Sequence, residues 1–328
     1  MRRLRFRAEH AVAAASALTL AGCSGGGHAL VSLGSGIDGP AGARLSVYAR
    51  GVPDVSAFAF DATGRLWAAA SGATKHGRDG VFLVRAGRTP VKVATLSGPL
   101  GLVWIGDRLY VSTLAGVVEL SGLHGTRFAR QRTILRGPSP GENNNLLRAP
   151  NGRLVLGISA PCDHCTPASK WAGAIVSFRR DGGDLRLVAR RIRAPFGLAY
   201  HDGVLYATLN QRDDLGAKTP GDVLVRVRQG DDRRFPACYD QGGAACAGVS
   251  KPVAFLDPHA AAGGIAFLGG VAYVAEWNRG KLLRVTLSGQ VTPYLTGLRN
   301  PLPVAVRGGA VYVGDWGSGR IYRLEPPG

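Results

Sequence analysis

Residues 142–154, ENNNLLRAPNGRL, set an acid and three consecutive asparagines directly ahead of an apolar run. Carboxylate and amide oxygens accept hydrogen bonds and can hold hard cations. Glu142, Asn143, Asn144 and Asn145 together therefore suit a binding loop, whereas a merely solubilising turn would accept any polar residues. Asn151-Gly152 then reads as a turn dipeptide, followed by the strand-like LVLGIS. A second cluster lies in CDHC, where Cys162, His164 and Cys165 are zinc-type ligands without a fourth nearby, so a zinc site is disfavoured. Thr166 stands where haem attachment would need a histidine. Beyond residue 23 the cysteines are Cys162, Cys165, Cys238 and Cys246. Four cysteines allow three pairings, and the local ones, Cys162–Cys165 and Cys238–Cys246, close the least chain. Two disulfides are expected if the chain is exported.

Export is what the N-terminus suggests. A basic stretch, MRRLRFRAEH, precedes ten apolar or small residues, AVAAASALTL, too short to span a bilayer. LAGC follows, ending at Cys23, and looks like the lipobox of bacterial lipoproteins. Residues 1–22 are thus read as a signal peptide, Cys23 as the lipidated first residue, and the protein as held on the outer face of the bacterial cell membrane. Residues 23–44 are rich in Gly and Ser and read as a flexible tether.

The remaining 45–328 must position the candidate residues. VSAFAFDATGRLWAAA recurs as PLGLVWIGDRLYVST, NNLLRAPNGRLVLGIS, PFGLAYHDGVLYATL, GGIAFLGGVAYVAEW and PLPVAVRGGAVYVGDW. Each copy is a short apolar strand, a tight turn and a second strand. Leu66, Leu109, Leu154, Leu205, Ala272 and Val311 are equivalent, at spacings of 43, 45, 51, 67 and 39. Further strands, such as GVFLVRAG and KLLRVTLSGQ, lie between the copies. Four strands per forty to fifty residues is the period of a propeller blade. An all-β, six-bladed β-propeller with four-stranded blades follows. The orphan strand GRIYRLEP (319–326) is left to pair with the start of the domain and close the ring.

Taken in order, ENNNLLRAPNGRL, CDHC, RIRAPFGLAY, NQRDDLG…TPGDVL, FPACY, LDPHAAAGG, AEWNRGKLLRV and VYVGDWGSGRIYRL give the chain its likeness. It resembles the soluble pyrroloquinoline-quinone (PQQ)-dependent sugar dehydrogenases, in particular the glucose/sorbosone dehydrogenase-like six-bladed propellers. The resemblance implies transfer of hydride from a sugar or polyol hydroxyl to the quinone, with calcium polarising the cofactor. By that resemblance Glu142 occupies the position of the family's base, and His259 matches a second functional histidine. Asn143, Asn144, Asn145, Arg193 and Asn210 match cofactor contacts, and Asp222 falls where an acid binds calcium. Asn278 stands where the family has a cofactor-facing lysine, and Asn300 where it has an arginine. Arg279, beside Asn278, would reach the cofactor only through a one-residue shift of register, which turns a strand side chain to the other face. Ala194 replaces an asparagine.

Two other readings come from the same residues. The same face could bind glycans or partner proteins without catalysis. A lactonase-type hydrolase would instead need a central metal, with Glu142, Asn145, Asn210 and Asp315 as oxygen ligands. The net charge of +18 remains strongly basic after the leader is removed. Its arginines are scattered singly through strands, with no basic helix, which disfavours nucleic acid and favours anionic lipid or cell-wall surfaces. A monomer is expected.

Overall fold

The computed structural model describes residues 29–72, 78–137 and 142–328. Residues 1–22, read above as a signal peptide, and Cys23 lie outside the described residues. Six antiparallel sheets follow one another along the chain, and each is one repeat of the sequence pattern. Their first strands are Val55–Phe60, Pro99–Ile105, Asn143–Arg148, Ala194–His201, Ala262–Leu268 and Pro301–Arg307. Each first strand packs on the first strand of the next blade, and the sixth packs on the first, so the ring is closed. All six equivalent positions, from Leu66 to Val311, fall in second strands and are buried, because both faces of each sheet meet a neighbouring blade.

Closure is by hydrogen bonds. Arg320–Glu325 pairs with Arg44–Arg50, from Arg320 opposite Arg50 to Glu325 opposite Arg44, and supplies the third strand of blade six. Edges that would otherwise offer unpaired amides are thereby joined. Blade three carries one strand more than expected: Asp231–Asp232 lies parallel to Arg186–Arg190 on its outer edge. These residues belong to the long excursion between the third and fourth strands of blade four, which reaches back across the blade boundary. Both expected disulfides are formed, and Cys238–Cys246 cross-links that excursion.

The tether ends earlier than its composition suggests. Leu30–Ser32 and Asp38–Pro40 form a hairpin. Ile37, 1% exposed, packs among Tyr273, Tyr294 and Leu295, and Asp38 exchanges backbone bonds with Thr296 of blade five. Residues 29–44 are therefore part of the folded body. A single apolar residue amid glycines carries no periodic signal; its burial depends on a groove made some 240 residues later.

Tryptophans wedge between blades. Trp67 meets Trp104 with ring centroids 5.1 Å apart at the interface of blades one and two. Trp316 donates its Nε1 to Ser71 O at 3.1 Å, joining blade six to blade one. His201 ends an inner strand and stacks on Phe267 of blade five at 4.6 Å.

Buried carboxylates at one rim also join the blades. Asp79 accepts from Gly72 N at 2.9 Å and from Gly98 N of blade two at 2.8 Å. Asp222 accepts from Gln211 N at 2.8 Å and from Ala262 N of blade five at 2.9 Å. Glu276 accepts from Asp257 N at 3.1 Å, linking blade five to blade four. Asp315 instead serves its own blade, accepting from Arg299 N and Asn300 N, just ahead of blade six's first strand, both at 2.9 Å. Burial pushes Asp222 up to about 6 against the pull of its two amide donors. Burial likewise pushes Glu276 up to about 7, and its Oε2 has no hydrogen-bond partner among the described residues.

Two outcomes follow. Ile321, fully buried in the closing strand, should cost about 2–5 kcal/mol when cut to Ala, read as a shifted midpoint in denaturant unfolding. A midpoint within error of the wild type would mean that the closing strand is not part of the cooperative unit. The raised carboxyls also set a pH dependence. Unfolded, they release protons near pH ~4; folded, they keep them to about 6 and about 7. The native state then binds more protons across that window, so their contribution is full below pH ~4 and is lost as pH rises through 6 and 7. Glu276→Gln keeps the acceptor for Asp257 N and removes the ionisation. It should flatten the fall of urea midpoint between pH 5 and 7, and an unchanged slope would rule out Glu276 as its source.

Candidate functional site

At the start of each first strand, one extra residue is inserted relative to the second strand. The bulges lie at Val55/Ala57, Pro99/Gly101, Asn143/Leu146, Pro195/Leu198, Ala262/Ile265 and Pro301/Val304. A bulge re-aims side chains where pairing ends. Six of them at equivalent places mark one face of the ring as irregular. Antiparallel order puts the starts of first and third strands, and the ends of second and fourth strands, on that same face. Asn143, Arg193, Asn210, Asp222 and His259 all fall there.

The asparagine loop divides into two kinds of residue. Asn143 is fully buried and donates Nδ2 to Thr113 O at 2.9 Å and Leu114 O at 3.3 Å, stitching blade three to blade two. Asn144 is equally buried and donates to Ser159 Oγ at 2.8 Å and to Pro195 O of blade four at 2.9 Å. Each keeps an Oδ1 without a partner among the described residues. A side-chain amide offers two donors on a short stem that can reach a carbonyl of the neighbouring blade, which accounts for asparagine at 143 and 144. Asn145 is half-buried and makes no side-chain hydrogen bond among the described residues.

Beside this loop a cleft of about 430 Å³ opens between blades three and four, lined by Glu142, Cys162, Asp163, Arg193, Phe196 and Asn210 among others. Glu142 is exposed and has no ion-pair partner among the described residues, and its carbonyl accepts from Ser159 N at 2.9 Å. Arg193, from the start of blade four's first strand, forms an ion pair with Asp163 of the disulfide-closed CDHC loop. Asn210 closes the far wall, with an unpartnered buried Oδ1. Phe196 supplies an apolar surface. Asp163 was not anticipated as a site residue. The signal was present in the CDHC loop, but only the meeting of blades three and four sets it against Arg193.

The other candidates lie elsewhere on the face. His259 sits at φ 53° in the loop before blade five, with Nδ1 3.0 Å from Asp213 Oδ1 and Nε2 2.9 Å from Gly216 O. Both ring nitrogens are thus engaged within the protein, and His259 does not line the cleft. Asp222 is a blade clamp, each of its oxygens held by a backbone amide. Asn278 is exposed; its backbone N donates to Ala260 O at 3.0 Å. Arg279 is exposed and spends its guanidinium on Pro258 O. Asn300 donates Nδ2 to Trp277 O at 3.1 Å. None of these three lines the cleft. His164 takes no part in a metal set: its Nδ1 lies 2.7 Å from Tyr239 Oη.

Among the described residues, no group of three or more His, Cys, Asp or Glu side chains is placed to hold a metal ion. The oxygen set for a hydrolase is not assembled either. Glu142 and Asn210 line the cleft, but Asp315 is buried with Oδ1 bound by two amides and Oδ2 by Ser318.

No family model matches the sequence, and no curated protein does. Solved structures do. The PQQ-bound aldose sugar dehydrogenase of Streptomyces coelicolor superposes with a TM-score of 0.70 at 19% identity, covering 88% of this chain and 99% of that one. An oxidoreductase of Thermus thermophilus described as a glucose dehydrogenase gives 0.70 at 22%, covering 86% and 100%. The PQQ domain of pyranose dehydrogenase from Coprinopsis cinerea gives 0.73 at 15%, covering 88% and 97%. The six-bladed propeller of this chain thus matches the fold of these sugar dehydrogenases, two of which are described with PQQ.

Proposed function

We propose that this is a sugar- or polyol-binding propeller of the cell envelope, built on the sugar-dehydrogenase fold but with its quinone site altered. The observation that carries the reading is the charge pattern of the cleft. Its one arginine, Arg193, is already paired with Asp163, and Glu142 stands unpaired beside them. A neutral polyhydroxyl ligand suits this arrangement. Its hydroxyls can donate to Glu142 and Asp163, accept from Arg193 or Asn210, and rest their apolar face on Phe196.

The tricarboxylate quinone does not fit the same residues. Each of its carboxylates would need a cation, and the lining supplies none that is free. Glu142 adds a repulsion on the order of 4 kcal/mol at about 4 Å and an effective dielectric of about 20. Both ring nitrogens of His259 are engaged within the protein, away from the cleft, and both oxygens of Asp222 are held by backbone amides. The lipobox-like LAGC supports anchoring through Cys23 on the outer face of the cell membrane, and the basic composition agrees with an anionic surface nearby. Nothing in the sequence calls for a second subunit, and the protein is taken as a monomer.

Calorimetric titration with glucose and sorbitol, alongside an absorbance titration of the calcium-loaded protein with PQQ, tests the reading. Saturable sugar or polyol binding is expected, with no quinone binding at tens of micromolar. Efficient quinone-dependent dye reduction by the wild type would overturn it. The variant Glu142→His/Asp163→Asn, which removes both acids and frees Arg193, should gain quinone binding. A recovered charge-assisted bond of about 1.5–3 kcal/mol corresponds to at least tenfold in affinity. If quinone affinity does not rise, the charge argument is wrong.

A further inference from the structure

A second cleft, of about 490 Å³, lies away from the first, between the outer edge of blade three and the blade-four excursion. Its lining includes Arg228, Arg233, Arg234, Asp231, Gly248 and Ser250. Arg233 is 3% exposed. One of its terminal nitrogens is paired with Asp240 and the other donates to Ser250 Oγ at 2.8 Å, but its Nε has no partner among the described residues. A buried guanidinium with a spare donor is costly and marks a place where an acceptor is missing. Arg228 and Arg234 are exposed, and neither side chain has an ion-pair or hydrogen-bond partner among the described residues. The Gly248 amide likewise has no backbone acceptor there.

The acids nearby do not supply that acceptor. Asp232 is taken by Arg190 at 3.0 Å and by Arg191 through two bonds, and also accepts from Arg234 N. Asp231 uses Oδ2 to accept from Arg228 N at 2.8 Å. Asp240 is shared between Arg233 and Gln211. Unused groups at this cleft are therefore mostly donors, three of them on arginines. The far wall, Ala247 and Gly248, directly follows Cys246, so the Cys238–Cys246 disulfide holds it in place.

We infer that this cleft is an oxyanion-binding site, fitted to a phosphate group carried either by a small soluble molecule or by an anionic lipid headgroup. Arginine forks match phosphate oxygens in pairs, and Gly248 allows the backbone amide to approach without a side chain in the way. The site does not depend on the sugar-binding cleft, whose lining it does not share.

Calorimetric titration of the intact protein with inorganic phosphate, at constant ionic strength in chloride, tests this. Saturable binding in the sub-millimolar range is expected. The exposed pair Arg228→Ala/Arg234→Ala should weaken it at least tenfold, while Arg127→Ala, on the outer strand of blade two, should leave it unchanged. A parallel titration with a short-chain phosphatidylglycerol below its micelle concentration separates the sources. Tighter binding of the lipid assigns a headgroup, and tighter binding of phosphate assigns a soluble ligand. No saturable heat with either, or equal loss in Arg127→Ala and the cleft variant, overturns the inference.

Discussion

The pairing of Arg320–Glu325 with Arg44–Arg50 is the interaction on which the rest of the molecule depends. Every blade is a sheet whose two faces are apolar, so none is stable without a neighbour on each side. A linear stack of six would leave two bare faces and open edges. Joining the last strand to one near the beginning removes the bare faces and fixes the diameter of the ring. That diameter decides how closely adjacent blades approach. Gly197 shows how close this is, because a side chain there would meet Gly263 O of the next blade at 2.3 Å.

Once the ring is closed, its bulged rim has to be held, and most of the polar residues found there do that. Asn143 and Asn144 bond across two blade boundaries, while Asp79 and Asp222 each take amides from two blades. Residue types that suggest ligands in the sequence thus serve the backbone. The requirement is the same in both roles. A buried amide needs an acceptor as much as a cation or hydroxyl does, and a short carboxylate meets either.

The part of the rim left for a ligand is small, and one ion pair sets its chemistry. Arg193 by itself would make the cleft a receptor for anions. Paired with Asp163, and with Glu142 alongside, it becomes a polar surface without net positive charge. The surplus of donors lies instead at the blade-four excursion, where Arg228, Arg233 and Arg234 outnumber the acids available to them. The two clefts of the same basic protein therefore differ in sign.

Architecture was legible in the sequence because it is periodic. Six copies of an alternating strand pair, with Leu66, Leu109, Leu154, Leu205, Ala272 and Val311 in register, require only local pattern to be recognised, and so does the orphan strand at 319–326. Short-range cysteine pairs were legible for the same reason: little chain has to close. The residues of the rim were legible as a set but not by role. Whether Asn144 faces a ligand or Pro195 O, whether Arg193 is free or bound to Asp163, and whether Ile37 is tether or core are each settled by a partner far along the chain. Those partners arrive only when blades meet, at distances fixed by ring closure. Tertiary structure alone decided them, since the same amide, guanidinium or methyl group is equally able to satisfy either partner and the geometry selects between them.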